Sequence, residues 1–547
     1  MKWGILALLF VAATGCSDDS SGKVDGGSDS DTDTDSDADT DADSDTDSDS
    51  DTPPGSCVDQ PLEPTPGEIA DPQPRTSFGS GGGYRGSPQV IQADGDDQLD
   101  IVASEFERVA VYDQEGALIW QQPIHGRNFS GAVLADLDGD STPEVVAGDN
   151  EGWIYALTAA GELLPGWAFL VYLNADVRSL AAADVDDDGD HEVIVFSSLT
   201  DQGPAQNMFI VDGDGSILAG WPHYTEGDPI TGHACDWCGG FNQNVAVGDL
   251  DDDGTLDLVF TQDRYSVSLF DAAGVPRDVA SDFDWCGDES QLHWGEVRTY
   301  IPHSAEFSAV CDEFNEILEF TYSPPLIADL DHDGMAEVIA MPNVEDTDAI
   351  GPIVGSALTV YEPDRMHRTG FAPYPVSAGS IYPGEGSWHE INPVAVAANF
   401  RGDPDLEILA VHLDGTARLY DADGVEHWSF TWATEDNCLA TEPLVGDLDG
   451  DRVPEALIVA ACPGDGTSEL TVLAGDDGDV RISVTLPFPT IASPLLCDID
   501  DDDELELVFS SESWSPSIHI YDWPGTTDDC LIWPQGRGDP QHTGSLN

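Results

Sequence analysis

Apolar residues along most of this chain come in short runs with a period of two. The segments RVAVYDQEGALIW, WIYALTAAGELLPGW, MFIVDGDGSILAGW, SVSLFDAAGV, ARLYDADGVEHW and SIHIYDWPG share one form. In each, an alternating run rich in Val, Ile, Tyr and Phe meets an acidic or small turn with Gly, and several end at Trp. Period-two runs of this length predict strands joined by turns and exclude a helical solenoid. Between these segments lie shorter apolar runs, such as VAVGD and LDLVF, that flank clusters of carboxylates.

The carboxylate clusters keep a fixed frame, D-x-D-x-D-G-x-x-E/D. Three copies are complete: Asp184, Asp186, Asp188, Gly189 and Glu192; Asp249, Asp251, Asp253, Gly254 and Asp257; Asp329, Asp331, Asp333, Gly334 and Glu337. Three more keep the acids without the glycine: Asp136, Asp138, Asp140 and Glu144; Asp447, Asp449, Asp451 and Glu455; Asp498, Asp500, Asp502 and Glu506. Two are degenerate: Gln92 with Asp94, Asp96 and Asp100, and Asn399 with Arg401, Asp403 and Glu407. In the last, Arg401 replaces a ligand with a cation and points to a turn held by an internal ion pair.

Calcium accounts for the spacing. It takes six to eight oxygens in a flexible shell, alternate residues of a tight loop aim at one centre, and a final carboxylate can close the shell. The closing acid comes too early for an EF-hand, and the flanks are strands rather than helices. The expected cofactor is therefore several structural calcium ions, at every loop except that of Asn399.

First positions fall at 92, 136, 184, 249, 329, 399, 447 and 498, a basal period of about 48 residues with insertions. One unit reads strand, acidic loop, strand, strand, turn, strand, which is a propeller blade. The expected fold is all-β, an eight-bladed propeller over 76–547, or seven-bladed if the Gln92 unit is incomplete. Insertions are expected near 221–243, 275–322 and 362–392. The helical spacing of Phe307, Val310, Cys311, Phe314, Ile317 and Leu318 predicts a short buried helix in one of them.

Charge narrows the partners. Lys plus Arg is 17 against 107 Asp plus Glu, a net −90. Nucleic acid binding needs clustered basic residues and is excluded as an expectation. MKWGILALLFVAATGC reads as a signal peptide over 1–15. Residues 16–75, with the Asp/Ser/Thr repeat and a Pro-rich stretch, read as a disordered linker.

At this point resemblances enter. AATGC resembles a bacterial lipobox, which makes Cys16 the lipidated residue and places the protein in the bacterial cell envelope, at the outer membrane or cell surface, or else secreted. ADLDGDSTPEVVAG followed by WIYALTAAGELLPGW resembles the FG-GAP/VCBS repeat of integrin-alpha-type propellers and bacterial surface lipoproteins, over roughly Gly81 to the C-terminus. WPQGRGDPQHTG (Trp533–Gly544) is similar to the tail of bacterial propellers of this type. The family implies structural calcium at blade loops and mostly adhesion, recognition or scaffolding. Some relatives are eight-bladed polysaccharide lyases, which keeps a carbohydrate-active enzyme as the alternative. With so few basic residues to hold acidic glycans, a binding or scaffold module is favoured over an enzyme.

Cysteine usage fits an oxidising compartment. Without Cys16, nine remain, so at least one is unpaired or bonded outside the chain. Candidate disulfide residues are Cys438 with Cys462, Cys286 with Cys311, Cys235 with Cys238, and Cys57 with Cys530; Cys497 is left as a buried thiol. The insertions are rich in aromatics. Trp237, Trp285, Trp294 and Trp388 are the candidate ligand-binding residues, for an unidentified protein or glycan at the cell surface. The two Arg-Gly-Asp triplets, at Arg401 and Arg537, read as products of composition.

Overall fold

The computed structural model describes Cys57 and residues 69–81, 86–96, 98–171, 175–199, 206–224, 243–262, 266–277, 316–320, 322–346, 353–364, 366–371, 394–403, 405–433, 438–462, 466–502, 504–512, 515–528 and 530–546. Every regular element among them is a strand.

The strands form eight blades. Blade 1 is Gln89–Ile91, Asp100–Glu105, Arg108–Tyr112 and Leu118–Pro123; blade 2 is Ala132–Ala135, Glu144–Gly148, Trp153–Leu157 and Phe169–Leu170. Blade 3 is Ala175–Ala183, Glu192–Leu199, Gln206–Val211 and His223–Tyr224; blade 4 is Val245–Gly248, Asp257–Gln262 and Ser266–Asp271. Blade 5 is Leu326–Ala328, Glu337–Ala340 and Thr359–Tyr361; blade 6 is Val394–Ala398, Glu407–Val411, Thr416–Tyr420 and Glu426–Thr431. Blade 7 is Leu444–Gly446, Glu455–Ala461, Ser468–Ala474 and Val480–Leu486; blade 8 is Leu495–Cys497, Leu505–Ser510 and Ile518–Trp523. The Gln92 unit is a full four-stranded blade, so the number is eight and not seven.

Burial follows position in the blade. Innermost strands such as AVLA, VAVG and VAVAA are buried along their whole length, which is why they read as unbroken apolar runs. Outer strands alternate, as in EHWSFT and VRISVTL. The core is not one mass but a series of seams between neighbours. Val133 and Ala156 of blade 2 pack with Val193 and Phe209 of blade 3. Val90, Ile101 and Tyr112 of blade 1 pack with Leu495, Val508 and Ile520 of blade 8, and this last seam closes the ring.

Both chain ends help to close it. Gln73–Phe78 pairs antiparallel with Ile518–Trp523 and supplies the outermost strand of blade 8. The propeller therefore begins before residue 76, because the outer edge of blade 8 is satisfied only by a strand from the other end of the chain. Cys57, also assigned to the linker from sequence, is buried and bonded to Cys530.

The C-terminal segment enters the centre. Innermost strands of a ring leave one row of N–H groups facing the axis, and these need acceptors. Leu531–Trp533 pairs with the innermost strand of blade 7. Beyond it, the carbonyls of Pro534, Pro540, Gln541, Thr543 and Gly544 accept from Leu496, Leu134, Ala182, Val247 and Ile327, at 2.8–3.0 Å, in blades 8, 2, 3, 4 and 5. Arg537 is buried in this plug and donates from Nη2 to the carbonyl oxygens of Val245 and Pro325. A Cβ at Gly544 would lie 1.8 Å from that Nη2 and would have to displace the guanidinium, at a residue whose φ of 62° already favours glycine. The triplet at Arg537 thus serves the interior and is not displayed.

Tryptophans staple adjacent blades. Nε1 of Trp120, Trp167, Trp221 and Trp428 donates to the carbonyl of Ala159, Gly213, Ala272 and Gly475, each in the hairpin turn of the next blade, at 2.7–2.9 Å. That explains why the second half of a unit so often ends at Trp.

Three expectations need correction. Ile317 and Leu318 lie in a strand, Glu316–Glu319, paired with Asn343–Asp346 in a small side sheet rather than in a helix, while Phe307, Val310, Cys311 and Phe314 lie outside the described residues. Residues 221–224, 275–277 and 362–371 belong to the hairpin turns and outer edges of blades 3, 4 and 5 rather than to insertions. Cys497 is disulfide-bonded, not a free thiol. The disulfide Cys438–Cys462 is present, with Cα atoms 4.0 Å apart. Cys16, Cys235, Cys238, Cys286, Cys311, Trp237, Trp285, Trp294 and Trp388 lie outside the described residues.

Candidate metal centres

Each acidic loop joins the first and second strands of its blade, so all eight lie on one face of the disc. Numbering the loop from one to nine, the carboxylate at position one accepts the backbone N–H groups of positions five and six. Asp184 does so from Asp188 and Gly189 at 3.1 Å each, Asp249 from Asp253 and Gly254 at 3.2 and 2.7 Å, and Asp447 from Asp451 and Arg452 at 3.1 and 2.7 Å. The carboxylate at position five accepts from position seven, as in Asp140 from Thr142 and Asp333 from Met335. The closing acid accepts from position two in all eight blades, degenerate ones included: Asp100 from Ala93 at 2.8 Å, Glu192 from Val185 at 2.8 Å, Glu407 from Phe400 at 2.9 Å.

In blades 2, 3, 4, 5 and 7 the turn has two left-handed residues, at positions four and six. Position six is Gly189, Gly254 and Gly334 in the complete copies, yet Ser141 and Arg452 adopt the same conformation, with φ of 67° and 73°. Those two loops carry glycine at position four instead, Gly139 and Gly450, where the others place Asp187, Asp252 and His332. The loops of blades 2 and 7 are therefore sound turns without glycine at position six.

The carboxylates converge. In blades 2, 3 and 7, positions one, three and nine each offer an oxygen, all within 4.8 Å of one another: Asp136, Asp138 and Glu144; Asp184, Asp186 and Glu192; Asp447, Asp449 and Glu455. Asp249, Asp251 and Asp257 form the same group in blade 4, and Asp329, Asp331 and Asp333 gather in blade 5. The closing acids are buried while most of the others reach solvent, Asp447 being a buried exception. Burial, with neighbouring aspartates adding to it, pushes Glu144 up to about 7, Glu192 to about 8 and Glu455 to about 9. An all-oxygen donor set with one buried carboxylate fits a hard divalent cation.

The two degenerate loops differ from this. Gln92 keeps the turn through Oε1, which accepts from Gly95, beside Asp94, Asp96 and Asp100. In blade 6, Arg401 pairs with Asp403 at 3.4 Å and approaches Glu407 at 4.0 Å, the internal ion pair expected there.

Sequence reasoning missed three arginines. Arg277 holds Asp257 with a two-pronged contact, Nε and Nη2 each at 2.5 Å, and also pairs with Asp251. Arg368 pairs with Asp331 at 2.6 Å and with Glu337. Arg75, from the outer strand of blade 8, pairs with Asp500 at 2.6 Å, Glu506 at 3.3 Å and Asp522. None is close in sequence to the acids it neutralises, and only the hairpin register brings Arg277 and Arg368 there.

Residues 136–195 match the profile of a family described as FG-GAP-like repeat. The chain carries an FG-GAP-like repeat. It opens on the acidic loop of blade 2 and ends just past the loop of blade 3, so it spans two candidate metal centres and the Trp167 staple between them. Solved structures of similar shape include BamB from Moraxella catarrhalis, at 13% identity and a TM-score of 0.45, covering 82% of this chain and 99% of that one. A europium-containing methanol dehydrogenase matches at 12% identity and a TM-score of 0.45, over 83% and 92%. The Dos1 propeller matches at 10% identity and a TM-score of 0.43, over 82% and 95%. No curated protein sequence matches the chain.

Proposed function

We propose that this chain is a calcium-stabilised propeller that works as a binding or scaffold module at the bacterial cell envelope, anchored by lipid on Cys16 and held off the membrane by its acidic linker. The observation that carries the reading is the repetition of one three-carboxylate cluster, with one hydrogen-bond frame, around one face of a closed ring. Catalysis calls for one distinctive site; a cluster repeated from blade to blade serves the scaffold. Bound calcium would supply the positive charge that ties the first two strands of a blade together. The partner is a protein or glycan, and the aromatic insertions around Trp237, Trp285, Trp294 and Trp388 are its proposed contacts.

A thermal melt tests this. One site held at a hundred times its dissociation constant adds about 2.7 kcal/mol, so three add about 8 kcal/mol. Chelator should lower the melting temperature, and calcium should restore it better than magnesium, whose octahedral shell is stricter. An unchanged melt in excess chelator, with no metal bound, overturns the calcium reading. Cys16→Ser should move the protein from the membrane fraction to the soluble one; salt-resistant membrane association of that variant overturns the anchor.

A further inference from the structure

One position sets the acidic loops of blades 4, 5 and 8 apart from the rest. Just after the hairpin turn, the outer strand of a blade carries a residue that the ladder skips. In blade 7, Val480 pairs with Leu473 and Ile482 with Val472, which leaves Arg481 as the bulge. The same count leaves Ile119 in blade 1, His427 in blade 6 and Arg75 in blade 8. In the other blades the outer segment re-enters through a single bridge, Leu157 to Leu163 in blade 2, Val211 to Ile217 in blade 3, Phe270 to Pro276 in blade 4 and Tyr361 to His367 in blade 5. The next residue is then Leu164, Leu218, Arg277 or Arg368, and each donates its N–H to the third strand in the same way.

The position is apolar in blades 1, 2 and 3 and basic in blades 4 to 8. Where it is Arg277, Arg368 or Arg75, the guanidinium contacts the acids at positions three and nine, two of the three donors that converge in blades 2, 3 and 7. Where it is Leu164 or Leu218, the carboxylates have no such partner among the described residues. In blade 7, Arg481 is exposed and acts on Asp449 through its charge, but it forms no salt bridge with Asp447, Asp449 or Glu455 among the described residues. The only lysines are Lys2 and Lys23, so every cation in the ring is an arginine, charged at all working pH values and forked to match a carboxylate.

We infer that the acidic loops fall into two classes: those of blades 2, 3 and 7 take a divalent cation, and those of blades 4, 5 and 8 are neutralised by the chain's own bulge arginine and take none. A guanidinium across positions three and nine uses the oxygens the metal needs, and its charge repels a second cation. This rests on the calcium reading above and narrows it. The metal-dependent part of the ring is then mostly its first half, and the arginine-held part is a contiguous pair of blades plus the closing blade.

The test is metal content by mass spectrometry of the full-length protein after gel filtration in micromolar calcium, for wild type and variants. Wild type should hold about three equivalents. Asp184→Asn should lose one, whereas Asp249→Asn, at the same loop position in blade 4, should lose none. Arg277→Leu, which installs the residue type of Leu218, should gain one; the Asp249→Asn comparison stands even if that variant does not fold. Equal losses from Asp184→Asn and Asp249→Asn, or about six equivalents in wild type, overturn the two classes while leaving calcium binding intact. No bound metal in any sample overturns the calcium reading itself.

Discussion

Removing Arg537 and Glu442 together should cost less than the sum of removing each alone. The Glu442 carboxylate is the hub of the central plug. Its Oε1 accepts from the indole of Trp533 at 3.0 Å and from the backbone N–H of Arg537 at 3.0 Å, and lies 3.8 Å from the Arg537 guanidinium. Burial pushes Glu442 upward and Arg537 downward, each against its charged form, with the pairing opposing both shifts. Arg537→Met leaves the carboxylate buried without its counter-charge, a loss of about 3–5 kcal/mol. Arg537→Met with Glu442→Gln removes both charges, and Gln can still accept the two N–H bonds. The double variant should therefore recover about 1–3 kcal/mol relative to the sum of the single losses. At about 2 cal/mol/K of unfolding entropy per residue, a ring of this size shifts by about 1 °C per kcal/mol. The single variant should thus melt about 3–5 °C low in saturating calcium, and the double about 1–3 °C above the sum of the two single shifts. Strictly additive losses would refute the pairing, and a loss under about 1 °C for Arg537→Met would show that the tail does not occupy the axis.

Trp167→Ala should cost about 3–5 kcal/mol, because it empties a buried indole site in the seam between blades 2 and 3 and strands the Gly213 carbonyl; a loss below about 1 kcal/mol in calcium-loaded protein counts against the staple. His519 stacks on Phe488 at 3.7 Å between centroids, and burial pushes it down to about 4. The unfolded chain therefore takes up this proton first, so the stability contributed by neutral His519 is complete above about pH 6.5 and is lost as pH falls toward 4. Between pH 7 and 5 that loss is about 2 kcal/mol, and His519→Asn in calcium should show a correspondingly flatter pH dependence of denaturant stability; identical slopes would contradict it.

What the sequence disclosed was local. The acidic frame, the period-two runs and the count of blades all depend on residues within one unit, and eight imperfect copies reinforce one another. Two of the three loops that keep the acids without glycine at position six carry glycine two residues earlier, at Gly139 and Gly450. What it concealed depends on closure. The outer strand of blade 8 is Gln73–Phe78, paired with a strand at the far end of the chain, and nothing in QPRTSF marks its partner. The tail residues Pro534–Gly544 offer carbonyls to five blades, a role that exists only when the ring is complete. Cys497, in an apolar run, reads as a buried thiol until its disulfide is seen. Arg277 and Arg368 lie just past turns, where a basic residue reads as solvated surface. Only the bulge register reveals that they face the acids of the same blade.

Calcium at the blade loops is the claim on which the rest depends, and an anomalous difference map from crystals grown in calcium tests it most directly. The account predicts peaks between Asp136, Asp138 and Glu144, between Asp184, Asp186 and Glu192, and between Asp447, Asp449 and Glu455, with guanidinium density against Asp251 and Asp257 in blade 4. A map with no anomalous peak at the loops of blades 2 and 3 would contradict it.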